Sequence, residues 1–294
     1  MPRFSGSCRV LFLDVDGTSL NSAKALTDGV RAAVIEARQA GVSVCFATGR
    51  MFEAVAHWVA ELGLTAPQIA NNGADVVDPA GGRRLLNRRL SPASVAWLLD
   101  QGEARGFVPV AFAGPRVLAL ACTPDHQLIA RNNEFVEVVC PEVLRDPALG
   151  VEKVLYLSVA RADELPAVRD ALNAAAAGLS GVRFAAMIAE HGFLNFCDPA
   201  ATKLLAAAWV CAFLGCRLED AIAVGDGDND IDLLAGVGLG IAMGNASLAA
   251  RAAAALSVPD NDHDGLAVAI RDRVLPSAAA GGCRQRTSRS AAAD

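Results

Sequence analysis

No two of the eight cysteines form a Cys-x-x-Cys pair, which argues against a structural zinc site. Scattered through a long, apolar chain, they read as buried thiols in a reducing cytoplasm. Long apolar runs are also missing. The uncharged stretch Leu204 to Cys216 falls short of the ~20 residues that span a bilayer. The first apolar run passes straight into Asp14 with no cleavage site, so no secretory signal is expected. These absences predict a cytoplasmic protein with no membrane partner. A basic excess is missing as well: 26 Lys and Arg face 32 Asp and Glu, a net charge of −6. Phosphate-backbone binding needs a basic face, so nucleic acid is excluded as a partner. No repeat appears at a solenoid period.

What is present is a globular composition, 53% apolar and 20% charged, over 294 residues. That length holds a large core or two domains. Oligomeric state, monomer or homodimer, is not legible.

The chain is organised around Cys8 to Thr18. Val10 to Leu13 reads as a buried strand that ends in Asp14-Val15-Asp16-Gly17-Thr18. In open α/β sheets the ligand crevice lies past the carboxyl ends of the strands. Two acids there repel each other unless a cation or a shared proton relieves them. An ordinary Asp-Gly turn is the plain alternative. A helix opened by Thr27 follows, then a strand from Val42 to Ala47 ending in Thr48-Gly49-Arg50. A helix over 51–62 leads to a short strand, Pro67 to Ala70, and to Asn71-Asn72-Gly73-Ala74. Strand, helix, strand with short connections predicts right-handed crossovers and a parallel sheet.

The pattern changes at Asp78-Pro-Ala-Gly-Gly82, a hinge signal followed by a basic stretch at Arg83, Arg84, Arg88 and Arg89. Those arginines read as a solvated face. Ser91-Pro92 starts a helix. Paired strand segments then alternate with helices, including hairpins over 108–122 and 182–197 and a helix capped by Asp163. This predicts an inserted α+β domain over 81–197 with a mostly antiparallel sheet. At Asp198 the first pattern resumes, with Asp198 as the cap of a helix to Leu214. A strand over 221–224 ends in Gly225-Asp226-Gly227-Asp228-Asn229-Asp230. The core is therefore expected from 1–80 and 198–276, as a Rossmann-like, doubly wound α/β sheet. The tail over 277–294 is expected to be disordered.

Singly, the polar clusters have plain explanations. Lys203 alone is a solvated helix lysine. The Asp-rich loop is not a calcium EF-hand, which needs glutamate twelve residues along, where Val237 stands. Parallel-sheet logic, however, brings Asp14, Thr48 and Asp226 to one sheet edge, with Lys203 entering from a helix. That inventory suits phosphoryl transfer, which needs charge neutralisation, an in-line nucleophile and an acid for the leaving group. Asp14, Asp226 and the backbone carbonyl of Asp16 offer hard oxygens for Mg²⁺. Thr48, Lys203 and Asn229 can hold phosphoryl oxygens, and Asp16 can act as acid and then base.

In order, Asp14-Val-Asp16-Gly-Thr18, Thr48-Gly49-Arg50, Lys203 and Gly225-Asp226-Gly-Asp-Asn229-Asp230 resemble the four motifs of the haloacid dehalogenase-like phosphatases. Asn72-Gly73-Ala74 and Gly240 to Ala246 resemble the Cof-type branch, which carries a large α/β cap. The resemblance spans about residues 8–275. It implies Asp14 as nucleophile and Asp16 as general acid/base. It implies Val15, Thr48, Gly49, Lys203 and Asn229 around the phosphate. It implies Asp14, Asp16 and Asp226 on Mg²⁺, with Asp230 auxiliary behind them. The implied substrate is a small phosphorylated metabolite, sugar phosphates first and phosphorylated cofactors or flavin precursors second. A phosphosugar mutase and a non-catalytic phospholigand regulator are the alternatives. Two positions depart from the branch: Leu204 stands where glycine usually follows the lysine, and Asn195-Phe-Cys-Asp198 stands where a glutamate-containing strand is usual.

Overall fold

The protein is described by a computed structural model covering residues 6–279. Its centre is β1, Val10–Leu13, four fully buried residues. Alternation sends Val10 and Phe12 into one apolar layer and Leu11 and Leu13 into the other. Burial on both faces is what a parallel strand requires, because crossover helices cover both sides of its sheet. β2 (Ser43–Phe46) flanks β1 in parallel. Beyond β2, β3 (Gln68–Ala70) joins through a parallel bridge between Ala47 and Ile69. β4 (Asp75–Asp78) and β5 (Arg83–Asn87) then fold back antiparallel. The hinge expected at Gly81-Gly82 is the turn of this hairpin, and Arg83 and Arg84 lie in a strand. Hydrogen bonding with β4 thus carries the first segment's sheet to Asn87, past the boundary expected at 81.

The second sheet is built from β6 (Val110–Ala113), β7 (Arg116–Ala119), β8 (Val136–Val138), β9 (Lys153–Leu157), β10 (Ala185–Glu190) and β11 (Phe193–Cys197). Its order is β10-β11-β9-β6-β7-β8, antiparallel except for β7 with β8. The chain then returns to the first sheet with β12 (Ala221–Gly225), β13 (Leu239–Ala242) and β14 (Leu256–Ser257), all parallel, in the order β14-β13-β12-β1-β2. The direction of winding reverses between β1 and β12, which opens a crevice at their carboxyl ends.

Helices α1 (Asp28–Gln39) and α2 (Phe52–Glu61) cover one face of the parallel sheet, together with α10 (Gly265–Ala269). The Thr27 hydroxyl caps α1 by accepting from the Val30 N–H at 3.2 Å. On the second sheet, α3 (Pro92–Ala104) and α6 (Leu165–Ala176) pack on one face, and the short α4 (His126–Ala130) and α5 (Pro141–Leu144) lie in its connections. Helices α7 (Lys203–Phe213), α8 (Ile231–Gly236) and α9 (Leu248–Ala253) cover the other face of the parallel sheet.

Three expected boundaries are corrected. Asp198 does not cap α7: its carboxylate closes a turn on the Ala200 N–H, and Thr202 caps the helix through the Leu205 N–H at 3.1 Å. Asp163 sits in a 3₁₀ turn ahead of α6, whose start has no side-chain cap. Residues 275–279 are helical, with Ser277 buried, so the expected disordered tail does not begin at 277. Residues 280–294 lie outside the described part.

Gly73 joins two parts of the site. Its φ of +94° is in the left-handed region, and a Cβ there would lie 2.2 Å from the Thr202 carbonyl oxygen. Only glycine lets the turn after β3 touch the first turn of α7. Gly73→Ala should therefore lower stability by about 2–3 kcal/mol, measured by urea unfolding, because backbone lies on both sides of the clash.

Candidate active site

Asp14 follows β1 directly, and its N–H bonds to the Val224 carbonyl at 3.0 Å, locking β1 and β12 together at the crevice. Asp226 follows β12 in the same way. Between them stands Lys203, at the first position of α7 and 2% exposed. Its Nζ donates to Asp14 Oδ1 at 2.7 Å and to Asp230 Oδ1 at 2.6 Å. The second Asp230 oxygen accepts the N–H groups of Asp226 and Gly227, both at 3.0 Å. Asp230 is therefore engaged through both oxygens in shaping the loop and orienting Lys203.

Carboxylate oxygens of Asp14, Asp226 and Asp230 lie within 4.8 Å of one another. Three acids share one ammonium, so the surplus is two negative charges. Burial pushes the Asp14 carboxyl well above its usual range; Lys203 pulls it down, and Asp230 and Asp226 push it further up. Burial also pushes Asp226 up to about 6, against the hydrogen bond from the Thr18 hydroxyl at 2.8 Å. Burial disfavours the charged form of Lys203, but Asp14 and Asp230 outweigh it and hold the ammonium firmly charged. A cluster of hard oxygens with two uncompensated charges fits a hard divalent cation. The Asp14 and Asp226 carboxylates have capacity for it.

Asp16 has the opposite environment. Burial raises its carboxyl, but Arg50 and Lys24 outweigh that and hold it below the usual range. Arg50 clamps it with two bonds of 2.6 Å, from Nε to Oδ2 and from Nη2 to Oδ1. Lys24 donates to Oδ1 at 2.5 Å. Gly17, at φ +74°, brings the loop so close that a Cβ would meet Asp226 Oδ2 at 2.3 Å. The Asn245 amide closes this side, donating to the Gly17 carbonyl at 2.8 Å and to Asp226 Oδ2 at 3.1 Å.

One cavity of about 250 Å³ gathers Asp14, Asp16, Thr48, Gly49, Asp226 and Asn229. Thr48 is 1% exposed and is held by strand pairing, its N–H bonding to the Ile69 carbonyl at 3.1 Å. Asn229 donates to Asn72 Oδ1 at 3.0 Å. Val15 does not line the cavity: its side chain is fully buried in the core, and its carbonyl accepts from the Ser19 and Leu20 N–H groups. Lys203 and Asp230 stand behind the cavity rather than lining it.

Sequence reasoning named Arg50 and Asn72 only as parts of motifs and gave neither a role. Asn72 has φ +56°, a left-handed conformation in which asparagine is enriched, and Asn-Asn-Gly was its signal. Lys24, Asn132, Glu134, Lys153 and Asn195 also line the cavity, and no motif marks them. Lys153 donates to the Gly49 carbonyl at 3.0 Å, and Glu134 accepts from the Met51 N–H at 2.9 Å. The second sheet thus grips the loop that carries Arg50. His191 is exposed in its hairpin turn and stays out of the cavity.

A covalent route through an aspartate, with an adjacent acid/base and a cation site, is open to this geometry. A family model described as haloacid dehalogenase-like hydrolase matches residues 11–270. A haloacid dehalogenase-like hydrolase from Bacteroides thetaiotaomicron is 25% identical, with a TM-score of 0.80 over 90% of this chain and 99% of that one. A second protein from Bacteroides thetaiotaomicron, described among the phosphatases of the superfamily, shares the fold at 22% identity and TM-score 0.74, over 94% and 98% of the two chains. A subclass IIB sugar phosphatase shares it at 20% identity and TM-score 0.76, over 91% and 99%. With the motifs met in order at one sheet edge and the family model covering nearly the whole described chain, this protein belongs to the haloacid dehalogenase-like hydrolases.

Proposed function

We propose that the protein is a Mg²⁺-dependent phosphatase of small phosphorylated metabolites that works through an aspartyl phosphate on Asp14. The observation that carries this reading is the Asp14 carboxylate itself. One oxygen is pinned to Lys203, and the group lines a cavity shared with Asp16, Thr48, Asn229 and Asp226. Asp14, Asp226 and the Asp16 backbone carbonyl would hold the ion. When bound, Mg²⁺ supplies charge neutralisation of the phosphoryl oxygens. Thr48, Asn229 and the Gly49 backbone would bind the same group.

In the first step an Asp14 oxygen bonds to phosphorus as the ester P–O bond breaks, and Asp16 gives a proton to the departing oxygen. The Arg50 and Lys24 contacts keep Asp16 ionised without substrate. A phosphate dianion competes for both cations, and as they turn to it Asp16 takes from solvent, before water is excluded, the proton it must donate. In the second step Asp16 takes a proton from water, which attacks the phosphorus of the aspartyl phosphate and frees inorganic phosphate and Asp14. The residues from the second sheet exclude bulk water during the first step. We take residues 198–276 with the first segment as the catalytic unit and the inserted segment as its cap. Sugar phosphates lead as substrates, supported by the likeness to the sugar phosphatase and by a cavity of about 250 Å³. That volume is below the ~300–1,000 Å³ of pockets for drug-sized ligands, which sets flavin-sized compounds behind. A cytoplasmic location accords with free thiols at all seven described cysteines.

The defining experiment is phosphate release from a panel of phosphorylated metabolites, with Mg²⁺ and with excess chelator. Metal-dependent release is expected; none from a folded, Mg²⁺-binding protein would overturn the reading. Asp14→Asn should reduce release to background while the circular dichroism spectrum stays native, because the amide cannot attack phosphorus. The acid cluster also sets a pH dependence. Asp14 and Asp226 have folded pKa values above their unfolded ones, so without metal their contribution to stability falls as pH rises from about 4 through about 6. A bound cation takes the ionised form and cancels that loss. Asp16, held low, acts in the opposite sense, its contribution being lost as pH falls below the usual carboxylate range. The rise in Tm on adding Mg²⁺ should therefore be larger at pH 7.5 than at pH 5, read by thermal melting.

A further inference from the structure

The wall of the cavity facing the catalytic carboxylates comes from the second sheet, and strand alternation decides its chemistry. Phe112, Lys153, Leu155, Phe193 and Asn195 share the face turned to the parallel-sheet unit, with Asn195 in register beside Leu155. Their neighbours Val154, Tyr156, Leu194 and Phe196 pack into the opposite apolar layer. The loop after α4 adds Asn132 and Glu134.

Two of these polar groups have no partner. Asn195 is 6% exposed and Asn132 is 9% exposed, and neither carboxamide makes a hydrogen bond within the described residues. Neither side chain is sealed away from the cavity, so their donors and acceptors stay free for whatever occupies it. These two amides line a cavity, where a ligand can pair them. The ionised groups beside them are partly engaged. Lys153 spends one N–H on Gly49 and lies 3.7 Å from the Phe112 ring centroid. Glu134 has one oxygen on the Met51 N–H. They are one ammonium and one carboxyl, and burial raises the Glu134 carboxyl above its usual range. The wall's remaining surface is apolar: Phe112, Phe193, Leu155 and Ile129.

We propose that Asn132 and Asn195 are the specificity-determining residues of the enzyme. Their carboxamides hydrogen-bond the hydroxyl groups of a neutral, polyhydroxylated leaving group, whose C–H faces rest on Phe112 and Phe193. This rests on the phosphatase reading above and narrows it to monophosphates of sugars or polyols. A leaving group with its own carboxylate or second phosphate meets one cation on this wall, Lys153, already engaged with the Gly49 carbonyl, with the Glu134 carboxyl also on the wall. An aryl leaving group leaves both amides unpaired.

The test measures kcat and KM for glucose 6-phosphate, ribose 5-phosphate, 3-phosphoglycerate and p-nitrophenyl phosphate, using the full chain with Mg²⁺. The wild type should prefer at least one sugar phosphate to both other compounds. In Asn195→Leu and in Asn132→Leu, the ratio of kcat/KM for that sugar phosphate over p-nitrophenyl phosphate should fall at least ten-fold, mainly through KM. A purely structural role would lower both activities alike and leave the ratio within two-fold, which overturns the proposal. So would a wild type that prefers 3-phosphoglycerate or the aryl ester. A wild type that hydrolyses none of the four removes the phosphatase reading itself, a failure distinct from an unchanged ratio. Should a leucine variant lose its circular dichroism spectrum, Asn195→Ser and Asn132→Ser, smaller and still polar, take the same comparison with the same two-fold criterion.

Discussion

One buried ammonium holds the site together. Lys203 bridges Asp14 and Asp230, and through them it ties the ends of β1 and β12 to the first turn of α7. Without it, carboxylates would converge in a desolvated crevice with nothing to offset them, and breaking such a buried pair is strongly destabilising. With it, one proton-bearing group fixes the orientation of the Asp14 carboxylate and leaves a charge deficit that suits a divalent cation. Structure and chemistry here share the same constraint. The charge arrangement that makes the crevice foldable is also what leaves room for a metal.

The two carboxylates of Asp14-Val-Asp16 lie two residues apart and have opposite surroundings. Asp14 points into a buried acid cluster and is pushed up; Asp16 points to Arg50 and Lys24 and is held down. Environments that separate two acids are how one strand end can host different roles. The loop carrying Arg50 is in turn held by Lys153 and Glu134 from the second sheet. The state of Asp16 is thereby linked to the seating of that sheet over the crevice.

Much of this was legible along the chain. Buried apolar runs ending in acids, glycine stops and short connections gave the parallel sheet and its helices, because a strand covered on both faces shows no alternation. Asp14, Thr48, Lys203 and Asp226 were legible as a set because a parallel sheet brings strand ends to one edge. The misplacements share a cause. Asp198, Asp163 and Gly81-Gly82 each carry a local signal with two outcomes. A turn competes with a cap at Asp198 and Asp163, and a hairpin competes with a hinge at the glycines. Only long-range pairing chose between them, as when β5 paired with β4.

The sequence by itself determined the fold class and the chemistry of the crevice, since both rest on residues whose order along the chain and strand topology suffice to bring them together. What only the tertiary structure decided is the partnering: that Lys203 clamps Asp14, that Arg50 holds Asp16, and that Asn132 and Asn195 stand unpaired in the opposite wall. Those residues sit on elements far apart in the chain, with no spacing rule between them. Their meeting is set by how the second sheet lies over the first.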